Sequence, residues 1–526
     1  PRDRPRTIQL QVPRAQRPPH GRGRGARGQR HSHLADTETL PTASTNRRSF
    51  LRISTGAALA AVASAAEKTA ERVPAMGSDA AANVTRELAR YLVSARPQDI
   101  PATVKKEVSR TLLNWVGVAV GGSGHETVTS ALEAVTPFAG AAQAQIAGRT
   151  ERLDIMNATL INGISSHVLD FDDTHLKTII HASSAIVPPT LALAEYLPAI
   201  SGVKFLHALT LGIETAFRVG NSVYPDHYDI GWHITGTAGS IGAAVAAATL
   251  LGLNEQQMIW ALGLGASQQV GLRESFGSMN KSFNPGRAGQ NGLLAALLAA
   301  RNFTSSDQMI EAKRGWANTV SRKQDFREIT SDLGTRFEAA LNTYKPFACG
   351  IVIHPTIDGC IQLRNRHRLE AGSIARIELR VHPLVLELTG KRTPKSGLEG
   401  KFSVYHAAAV AIIEGRAGPR QFTDDAVSAP AAIALREKVT VVPDSAIKES
   451  QADVTITLAN GERRRVMIVD AIGSVANPMS DNALEAKAAD LMQGILPDAR
   501  ARAAIAVCRD IAHTPQASDL ATLLRR

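Results

Sequence analysis

The residues best suited to chemistry lie in the segment Asp170-Phe-Asp-Asp-Thr-His175, which is followed after five residues by His181. Three carboxylates and two imidazoles therefore fall within twelve positions. Charged groups are costly to remove from water, so a cluster of this kind usually belongs to a functional site. Asp170 and His181 are predicted to act together as a base, and Asp172 and Asp173 to orient the histidines.

Three further segments supply groups that a polyanionic substrate would need. His233 precedes the sequence Ile-Thr-Gly-Thr, a hydroxyl-rich helix start whose free amides and dipole can bind a carboxylate or serve acid catalysis. Lys281, Arg287 and Lys345 would neutralise two or three carboxylates, and Arg287 can do so in a bidentate manner. Proton abstraction beside a carboxylate needs both a base and such cations.

Two other kinds of site are not supported by the sequence. Gly236, Gly239 and Gly242 are not preceded by a strand and lack the spacing of a dinucleotide fingerprint, so they predict close helix packing. The three cysteines have no C-x-x-C spacing, which argues against a disulfide framework, a cysteine-ligated zinc or an iron–sulfur cluster. Any chemistry must therefore use side chains alone or a hard metal, and the function that the sequence favours needs neither a cofactor nor a metal.

The length and composition indicate how these residues are held. A chain of 526 residues predicts two or more domains, or one large domain with an insertion. Aromatic residues make up only 4% of the chain while alanine and glycine are frequent, which favours closely packed helices. The predicted fold class is mainly α.

Helical periodicity begins near residue 80. Val104, Val108, Leu112, Trp115 and Ala119 recur at intervals of three and four residues, as on the buried face of a helix. No alternating strand pattern interrupts the helical part of the chain. Further helices are predicted around residues 154–169, 187–199, 204–220, 236–251, 255–269, 287–302 and 306–314.

The pattern changes after residue 370. Ile377, Leu379 and Val381 alternate with charged residues, and Asn460-Gly461 is a tight-turn sequence between two more alternating runs, which predicts a hairpin. With a third strand near 439–442 and a helix near 403–414, this is a small α/β unit. The cleft between it and the helices is the expected binding site. The predicted organisation is a helical domain at 80–345, an inserted α/β lid at 346–472 and returning C-terminal helices at 473–526.

The N-terminal residues carry much of the net charge of +11. The first 52 residues hold twelve arginines against two aspartates and one glutamate, and residues 1–45 are predicted to be a disordered basic head. With Pro1 first and no methionine before Met76, we expect the chain to be a fragment or a translation begun too far upstream. Because nucleic-acid binding would rest on this doubtful head alone, we expect no nucleic-acid partner.

Residues 46–66 resemble a twin-arginine export signal. Arg47-Arg48 precedes a short, weakly apolar stretch with an Ala-x-Ala ending. The alternative is an amphipathic or disordered leader. A true signal would make the protein periplasmic or otherwise exported, and its absence would leave it cytoplasmic. The apolar run is too short to span a bilayer, and stable membrane insertion is not expected.

From roughly Val84 onward the chain resembles the MmgE/PrpD family, which includes 2-methylcitrate dehydratase, cis-aconitate decarboxylase and iminodisuccinate epimerase. The resemblance implies a large all-helical domain, a smaller α/β lid, a homodimer, and chemistry on small di- or tricarboxylates without an iron–sulfur cluster. It rests on six blocks in order: Asp170-Phe-Asp-Asp-Thr-His, Trp232-His-x-Thr-Gly-Thr, Lys281-x-Phe-x-Pro-Gly-Arg-Ala-x-Gln-Asn-Gly, Tyr344-Lys-Pro-Phe-Ala-Cys, Lys401-Phe-Ser-Val-Tyr and Gly473-x-x-x-Asn-Pro-Met.

The resemblance also implies site residues where the blocks match, namely Asp170, Thr174, His181, His233, Lys281 and Lys345. In the decarboxylase branch a further histidine closely follows the lysine that corresponds to Lys345. Here Cys349 and Gly350 occupy that neighbourhood, and the next histidine is His354. A tyrosine near the end of the sequences of that branch corresponds to Tyr405 or, when counted back from Gly415, to His406. These departures weaken a decarboxylase assignment.

The sequence therefore favours a lyase of the 2-methylcitrate dehydratase type. His181, supported by Asp170, would take a proton alpha to a carboxylate, and His233 or Tyr405 would assist departure of the β-hydroxyl. Thr174, Lys281, Arg287 and Lys345 would bind the substrate. Decarboxylation or epimerisation would use the same binding groups.

Two alternatives of another class remain open. Asp172, Asp173, His175 and His181 could ligate a divalent ion in a metal-dependent hydrolase. The protein could also bind carboxylates without catalysis.

Overall fold

A computed structural model describes residues 83–526, which belong to one compact unit, Pro74–Arg526. This part of the chain is mainly helical, as predicted. The basic head and the twin-arginine segment lie outside the described residues. The helices of residues 83–526, numbered in chain order, are α1 Val84–Ser94, α2 Ala102–Gly122, α3 Glu126–Val135, α4 Ile155–Val168, α5 Ala182–Tyr196, α6 Gly202–Asn221, α7 Asp226–Ile230, α8 Ile234–Leu251, α9 Glu255–Ala266, α10 Asn280–Ala299, α11 Trp316–Val320, α12 Arg327–Thr330, α13 His354–His367, α14 Pro383–Thr389, α15 Gly397–Gly400, α16 Val404–Glu414, α17 Asp424–Ser428, α18 Pro430–Glu437, α19 Asp481–Met492, α20 Asp498–Arg509 and α21 Ser518–Leu523.

Helix α8 lies at the centre of the helical part, with α5, α6, α9 and α10 packed around it. A Cβ at Gly242 would lie 2.6 Å from the carbonyl oxygen of Gly212, and one at Gly239 would lie 2.9 Å from Ala185 Cβ. Gly239 and Gly242 therefore serve helix packing, as predicted, whereas Gly236 lies against the backbone of Val270 in the loop after α9. By length and composition α8 is the one helix of residues 83–526 that could cross a membrane, but 83% of it is buried inside the protein.

Helices α4 and α10 approach each other closely and carry groups of the candidate site at facing ends. A Cβ at Gly163 would lie 2.4 Å from the Cα of Gly286, and one at Gly286 would lie 2.5 Å from the carbonyl oxygen of Leu160. Only residues without side chains allow this separation. The crossing brings the end of α4, with His167, to the start of α10, with Lys281.

The Gly163→Ala variant should therefore unfold more easily. The added methyl group must push the two helices apart, and overpacking of this kind costs about 1–3 kcal/mol. Urea denaturation would measure the change. The matched control is Gly124→Ala, because a Cβ at Gly124 meets nothing within 4 Å. Equal midpoints for the two variants would contradict the close crossing.

Short strands also join distant parts of the helical region. β1 (Ala144–Gln145) pairs with β2 (Arg152–Leu153), and β3 (Asp173–His175) pairs antiparallel with β4 (Asn342–Tyr344). The expectation that strands are absent here is wrong, because strands of two or three residues are too short to show alternation. The β3–β4 pair places Lys345, directly after β4, beside the residues that precede β3.

A four-stranded sheet follows, in the order β6-β5-β7-β8. β5 (Ile374–Val381) runs parallel to β6 (Val439–Pro443) and antiparallel to β7 (Ala452–Leu458), and β7 forms a hairpin with β8 (Arg463–Ile468). The hairpin prediction is confirmed, with Gly461 at φ +84° in the turn. Helix α13 packs on β7 and β8, and α16 packs on α13. A separate lid domain stays a prediction, because all these elements belong to one compact unit.

The C-terminal helices α19 and α20 pack against α2, in the helical part of the chain. The predicted helix at 306–314 is wrong, because this segment forms turns. Tertiary hydrogen bonds replace helical ones there: Thr85 N donates to the Glu311 carboxylate at 3.2 Å, and Ile310 N donates to Thr85 Oγ1 at 3.2 Å.

Candidate active site

Asp170 occupies the turn directly after α4 and has a left-handed backbone conformation, with φ +50°. Its Oδ1 accepts hydrogen bonds from two ammonium groups, Lys345 Nζ at 2.6 Å and Lys281 Nζ at 3.1 Å. Lys345 Nζ also donates to the carbonyl oxygen of Asp170 at 3.2 Å. All three residues are buried. One carboxylate thus joins two cations that come from distant segments.

This arrangement fixes the charge of Asp170. Burial by itself would raise the pKa of Asp170, but the attraction of Lys281 and Lys345 outweighs burial and holds the pKa well below its usual range. Burial lowers the pKa of Lys281. Burial also acts downward on Lys345, yet Asp170 and Asp172 outweigh it and raise the pKa of Lys345. Asp170 is therefore a carboxylate at neutral pH, and it holds the ammonium groups instead of accepting protons.

His167, near the end of α4, links Lys281 to Asp172. Lys281 Nζ lies 2.7 Å from His167 Nε2, and His167 Nδ1 lies 2.6 Å from Asp172 Oδ2. An ammonium group only donates, so Nε2 accepts and Nδ1 carries the proton. Ser184 Oγ donates to the same Asp172 oxygen at 2.6 Å. Both ring nitrogens of His167 are thus engaged, and the residue orients the Lys281 ammonium.

His181 presents an unprotonated ring nitrogen. Its Nδ1 lies 2.8 Å from the carbonyl oxygen of Asp173 and 3.2 Å from Thr174 Oγ1. A carbonyl oxygen only accepts, so Nδ1 carries the proton and Nε2 keeps its lone pair. Thr235 Oγ1 accepts from the backbone N–H of His181 at 3.1 Å and anchors it. Burial lowers the pKa of His181 well below its usual range, so the imidazole is a neutral base.

His233 has the opposite tautomer. Asn284 Nδ2 donates to His233 Nδ1 at 3.0 Å, so the proton of the neutral ring is on Nε2. Asn284 Nδ2 also contacts Ser275 Oγ at 3.2 Å, which fixes the amide. His233 Nε2 is buried and has no hydrogen-bond partner among the described residues. An unpartnered buried donor of this kind is suited to donate a hydrogen bond to a substrate oxygen or a proton to a substrate carbon.

A cavity lies between these groups. Its charged and imidazole lining consists of Asp170, His181, His233, Lys281 and Lys345, and Tyr228 and Thr389 also line it. The walls come from both the helical segments at 170–281 and the segments at 350–402 that lead into and out of the sheet. The apolar part of the lining is formed by Ile179, Phe276, Ile351, Val352, Leu388 and Phe402.

The carboxylate of Asp173 is held away from the cavity. It accepts from Asn342 Nδ2 at 2.8 Å, from Ser183 N at 3.3 Å and from Ser183 Oγ. Burial and, secondly, the nearby Asp172 carboxylate raise the pKa of Asp173 to about 6. Its ordinary value in an unfolded chain is about 3.9.

Because of this difference, the free energy of unfolding should depend on pH. The folded protein binds a proton at Asp173 more tightly than the unfolded chain does, so the stabilisation is complete below about pH 4 and is lost as the pH rises through about 6. Asp173→Asn removes this dependence. As the pH rises from 4 to 8, the free energy of unfolding of Asp173→Asn should increase by about 2–3 kcal/mol relative to that of the wild type. Urea denaturation of both proteins measures this, and a constant difference would contradict it.

Comparison with known proteins assigns the chain to a family. Residues 86–329 match the MmgE/PrpD N-terminal domain, and residues 347–511 match the MmgE/PrpD C-terminal domain. The chain belongs to the MmgE/PrpD family. The resemblance seen in the six sequence blocks is thereby confirmed.

Several relatives within the MmgE/PrpD family carry a functional name. The chain is 27% identical over 386 residues to the cis-aconitate decarboxylase-like protein oryM of Aspergillus oryzae, covering 69% of this chain and 80% of that protein. It is 25% identical over 386 residues to the cis-aconitate decarboxylase of Aspergillus terreus, covering 69% and 79%. It is 24% identical over 462 residues to the cis-aconitate decarboxylase of Homo sapiens, covering 84% and 95%.

The structure brings most of the site residues implied by MmgE/PrpD membership to one place. Thr174 is among them, but it contacts His181 and does not line the cavity. No hydrogen bond joins Asp170 to His181 in the described part of the chain. The partners of Asp170 are the two lysines.

Three other candidates lie elsewhere. Arg287 is exposed on α10 and donates to Gln290 Oε1. The ring of Tyr405 lies 5.1 Å from the Arg392 guanidinium carbon, and His406 Nε2 is bonded to the carbonyl oxygen of Gln421 at 2.8 Å. Arg287, Tyr405 and His406 are not part of the cavity lining.

The metal ligands suggested by the sequence do not form a set. Asp172 and Asp173 are bonded to neighbouring side chains, as described above. His175 stacks on Phe217 at 4.2 Å and contacts Glu338 Oε2 at 3.3 Å. The group of the described residues that comes nearest to a metal site is His167, His181 and His233, with ligand atoms within 4.8 Å of one another. It does not fit a cation well, because both nitrogens of His167 are engaged and two ammonium groups adjoin it.

Sequence reasoning missed the residues that set protonation states. His167 precedes Asp170 by three residues at the end of a helix, and this spacing was its only signal. Asn284 lies inside the block that begins at Lys281, but nothing in its spacing indicates a contact with His233. His354, the histidine noted after Lys345, packs against Phe347 at 5.3 Å and does not line the cavity.

Proposed function

We propose that this protein is a lyase that acts on a small di- or tricarboxylate, with decarboxylation of a cis-aconitate-like substrate as its principal reaction. This departs from the dehydratase assignment favoured by the sequence, because the relatives named above are called cis-aconitate decarboxylases. The observation that carries the proposal is the convergence of two buried lysines and two complementary histidines on one cavity.

The lysines would bind the substrate. Each ammonium group has three N–H donors. Lys281 Nζ uses donors on Asp170 and His167, and Lys345 Nζ uses them on the side chain and backbone of Asp170. Each therefore keeps a donor for a substrate carboxylate. In a cavity with little water, these charges act more strongly than they would at the surface.

The histidines would transfer the proton. A substrate with two or three carboxylates reverses the positive field that the lysines create in the cavity and favours an imidazolium at His181 or His233. Breaking the carbon–carboxylate bond releases carbon dioxide and leaves an electron pair, which the adjacent double bond delocalises. The imidazolium then protonates the resulting carbanion. One proton is taken from solvent per turnover.

The apolar wall supports loss of carbon dioxide. A carboxylate enclosed by Phe276, Ile351 and Leu388 loses its hydration shell, while its two neighbours stay bound to lysines. Since the neutral product is favoured in such surroundings, the wall promotes cleavage of that carboxylate.

Dehydration is a second candidate, and a specific observation favours it. His181 Nε2 is an acceptor and His233 Nε2–H is a donor, and the two rings face one cavity with centroids 6.4 Å apart. Elimination of water needs this pairing, with one group to take the alpha proton and another to protonate the leaving hydroxyl.

Product analysis in deuterium oxide separates these reactions. We expect cis-aconitate to yield one equivalent of carbon dioxide and a product with one deuterium bound to carbon. Loss of water from 2-methylcitrate or citrate, without carbon dioxide, would favour dehydration, and deuterium exchange into iminodisuccinate would favour epimerisation. Binding without turnover or exchange would indicate a carboxylate-binding protein. No binding or turnover with any of them would remove the proposal.

A homodimer and export through the twin-arginine segment stay predictions. Light scattering of the purified protein tests the first. Mass spectrometry of the native N-terminus tests the second, since export would leave a chain that begins near residue 66.

A further inference from the structure

Two additional lysines lie directly behind the candidate active site, and the proposed mechanism does not use them. Lys401 lies between α15 and α16 and is buried. Its Nζ donates to the carbonyl oxygen of Leu169 at 2.8 Å and to that of Ala348 at 3.2 Å. No carboxylate of the described residues forms an ion pair with it. The ammonium group of Lys401 therefore bridges two backbone segments.

Lys487 also bridges two backbone segments. It belongs to α19, in the C-terminal part of the chain. Its Nζ donates to the carbonyl oxygen of Phe171 at 2.6 Å, to that of Lys345 at 2.9 Å and to Asn114 Oδ1 at 2.8 Å. It also lies 3.8 Å from the centre of the Phe171 ring.

Both lysines bridge the same pair of segments, 169–171 and 345–348. In the first segment the carbonyl oxygens they bind belong to Leu169 and Phe171, the residues immediately before and after Asp170. Asp170 has a left-handed conformation that side-chain-bearing residues rarely adopt, so its turn needs support from its surroundings. The second segment begins with Lys345, whose ammonium group is bonded to Asp170. The two bridges thus enclose the ion pair that lines the cavity.

We propose that Lys401 and Lys487 are positioning residues, a pair of ammonium bridges that fixes the backbones carrying Asp170 and Lys345. This inference rests on the proposed function only for its effect on catalysis. The choice of lysine has a physical reason: one ammonium group can satisfy several carbonyl oxygens that converge from two chains, whereas a neutral apolar side chain would leave them unsatisfied. Burial lowers the pKa of Lys401 to about 8 and the pKa of Lys487 well below its usual range. The three oxygens around Lys487 Nζ nevertheless need three N–H donors, which an ammonium group supplies and a neutral amine does not.

Hydrogen exchange followed by mass spectrometry tests the bridges without any assay of activity. Lys401→Met and Lys487→Met should each raise amide exchange at least about tenfold in peptides covering 167–175 and 343–350. The matched control is Lys438→Met, because Lys438 Nζ donates to the carbonyl oxygen of Ile374 at 2.7 Å, away from the site. The control should leave both peptides unchanged. Unchanged exchange in Lys401→Met and Lys487→Met would overturn the proposal.

Kinetics then distinguish positioning from general support of the fold. With the substrate that the wild type turns over, each methionine variant should lose at least tenfold in kcat/KM, and Lys438→Met should not. Faster exchange with wild-type kinetics would overturn the positioning role. If a methionine variant fails to fold, Lys401→Gln or Lys487→Gln, which keeps an amide donor, takes its place and should show a smaller change in the same direction. Absence of turnover in the wild type would count against the proposed function alone, since the exchange result stands without it.

Discussion

The His181→Gln variant is expected to turn over its substrate about 10²- to 10⁴-fold more slowly than the wild type, which is the usual contribution of a positioned proton-transfer group. Glutamine can still donate to the carbonyl oxygen of Asp173, as His181 does at 2.8 Å, so the local fold should persist. What is lost is the basic ring nitrogen that faces the cavity. Initial rates with the accepted substrate, together with the urea midpoint, measure the two effects separately.

His406→Gln is the matched control for this prediction. His406 is also a buried imidazole with one ring nitrogen bonded to a carbonyl oxygen, that of Gln421 at 2.8 Å. It does not line the cavity. Its replacement should leave kcat within a few-fold of the wild type. A rate loss in His406→Gln equal to that in His181→Gln would contradict the assignment of His181 as a proton-transfer group.

The Lys345→Met variant is expected to lose both activity and stability. Removing a preorganised cation that binds the substrate should lower kcat/KM about 10²- to 10³-fold. It also leaves the buried carboxylate of Asp170 with Lys281 as its remaining ion-pair partner. Losing one charge-assisted hydrogen bond of this kind costs about 1.5–3 kcal/mol. Substrate kinetics and urea denaturation of the same preparation give the two numbers.

A second substitution separates these losses. In Lys345→Gln the side chain keeps an amide donor for the Asp170 carboxylate, so this variant should lose less stability than Lys345→Met. The activity should not return, because the cation is still absent. Recovery of kcat/KM in Lys345→Gln would show that Lys345 acts only through the stability of the fold, and would refute its role in substrate binding.

The chemistry of the site could be predicted from the sequence because its groups lie in compact blocks. Asp170, His181 and His233 were named from their types and neighbours, and Lys281 and Lys345 because each also lies in a block that matches the family. The structure places all five around one cavity. The helical fold class followed from small residues and periodicity, and the hairpin followed from its turn sequence. These are local signals, which a single sequence carries well.

The partners of these residues depend on the tertiary structure and could not be predicted. Nothing in the sequence indicates that Asp170 pairs with the lysines instead of His181, or that Asn284 sets the tautomer of His233. Arg287 has the chemistry of a carboxylate ligand, but the helical rotation of α10 turns it to the surface. The position of a residue around the helix axis decides whether its side chain faces the cavity or the solvent.

Two helix starts also differ from the predicted ones, for one physical reason. The helices expected from residues 187 and 287 begin at Ala182 and Asn280. Pro188, Pro189 and Pro285 lie inside the helices, where proline is generally disfavoured. The earlier start of α10 matters for function, because it places Lys281 on a helix packed closely against α4.

A crystal structure with tricarballylate, a saturated tricarboxylate that can undergo neither dehydration nor decarboxylation through a double bond, tests the central claim most directly. We expect the ligand to lie in the cavity with carboxylate oxygens within hydrogen-bond distance of Lys281 and Lys345 Nζ. We also expect its carbon chain to lie between the Nε2 atoms of His181 and His233. A ligand bound elsewhere, or bound in the cavity with its carboxylates away from both lysines, would contradict it.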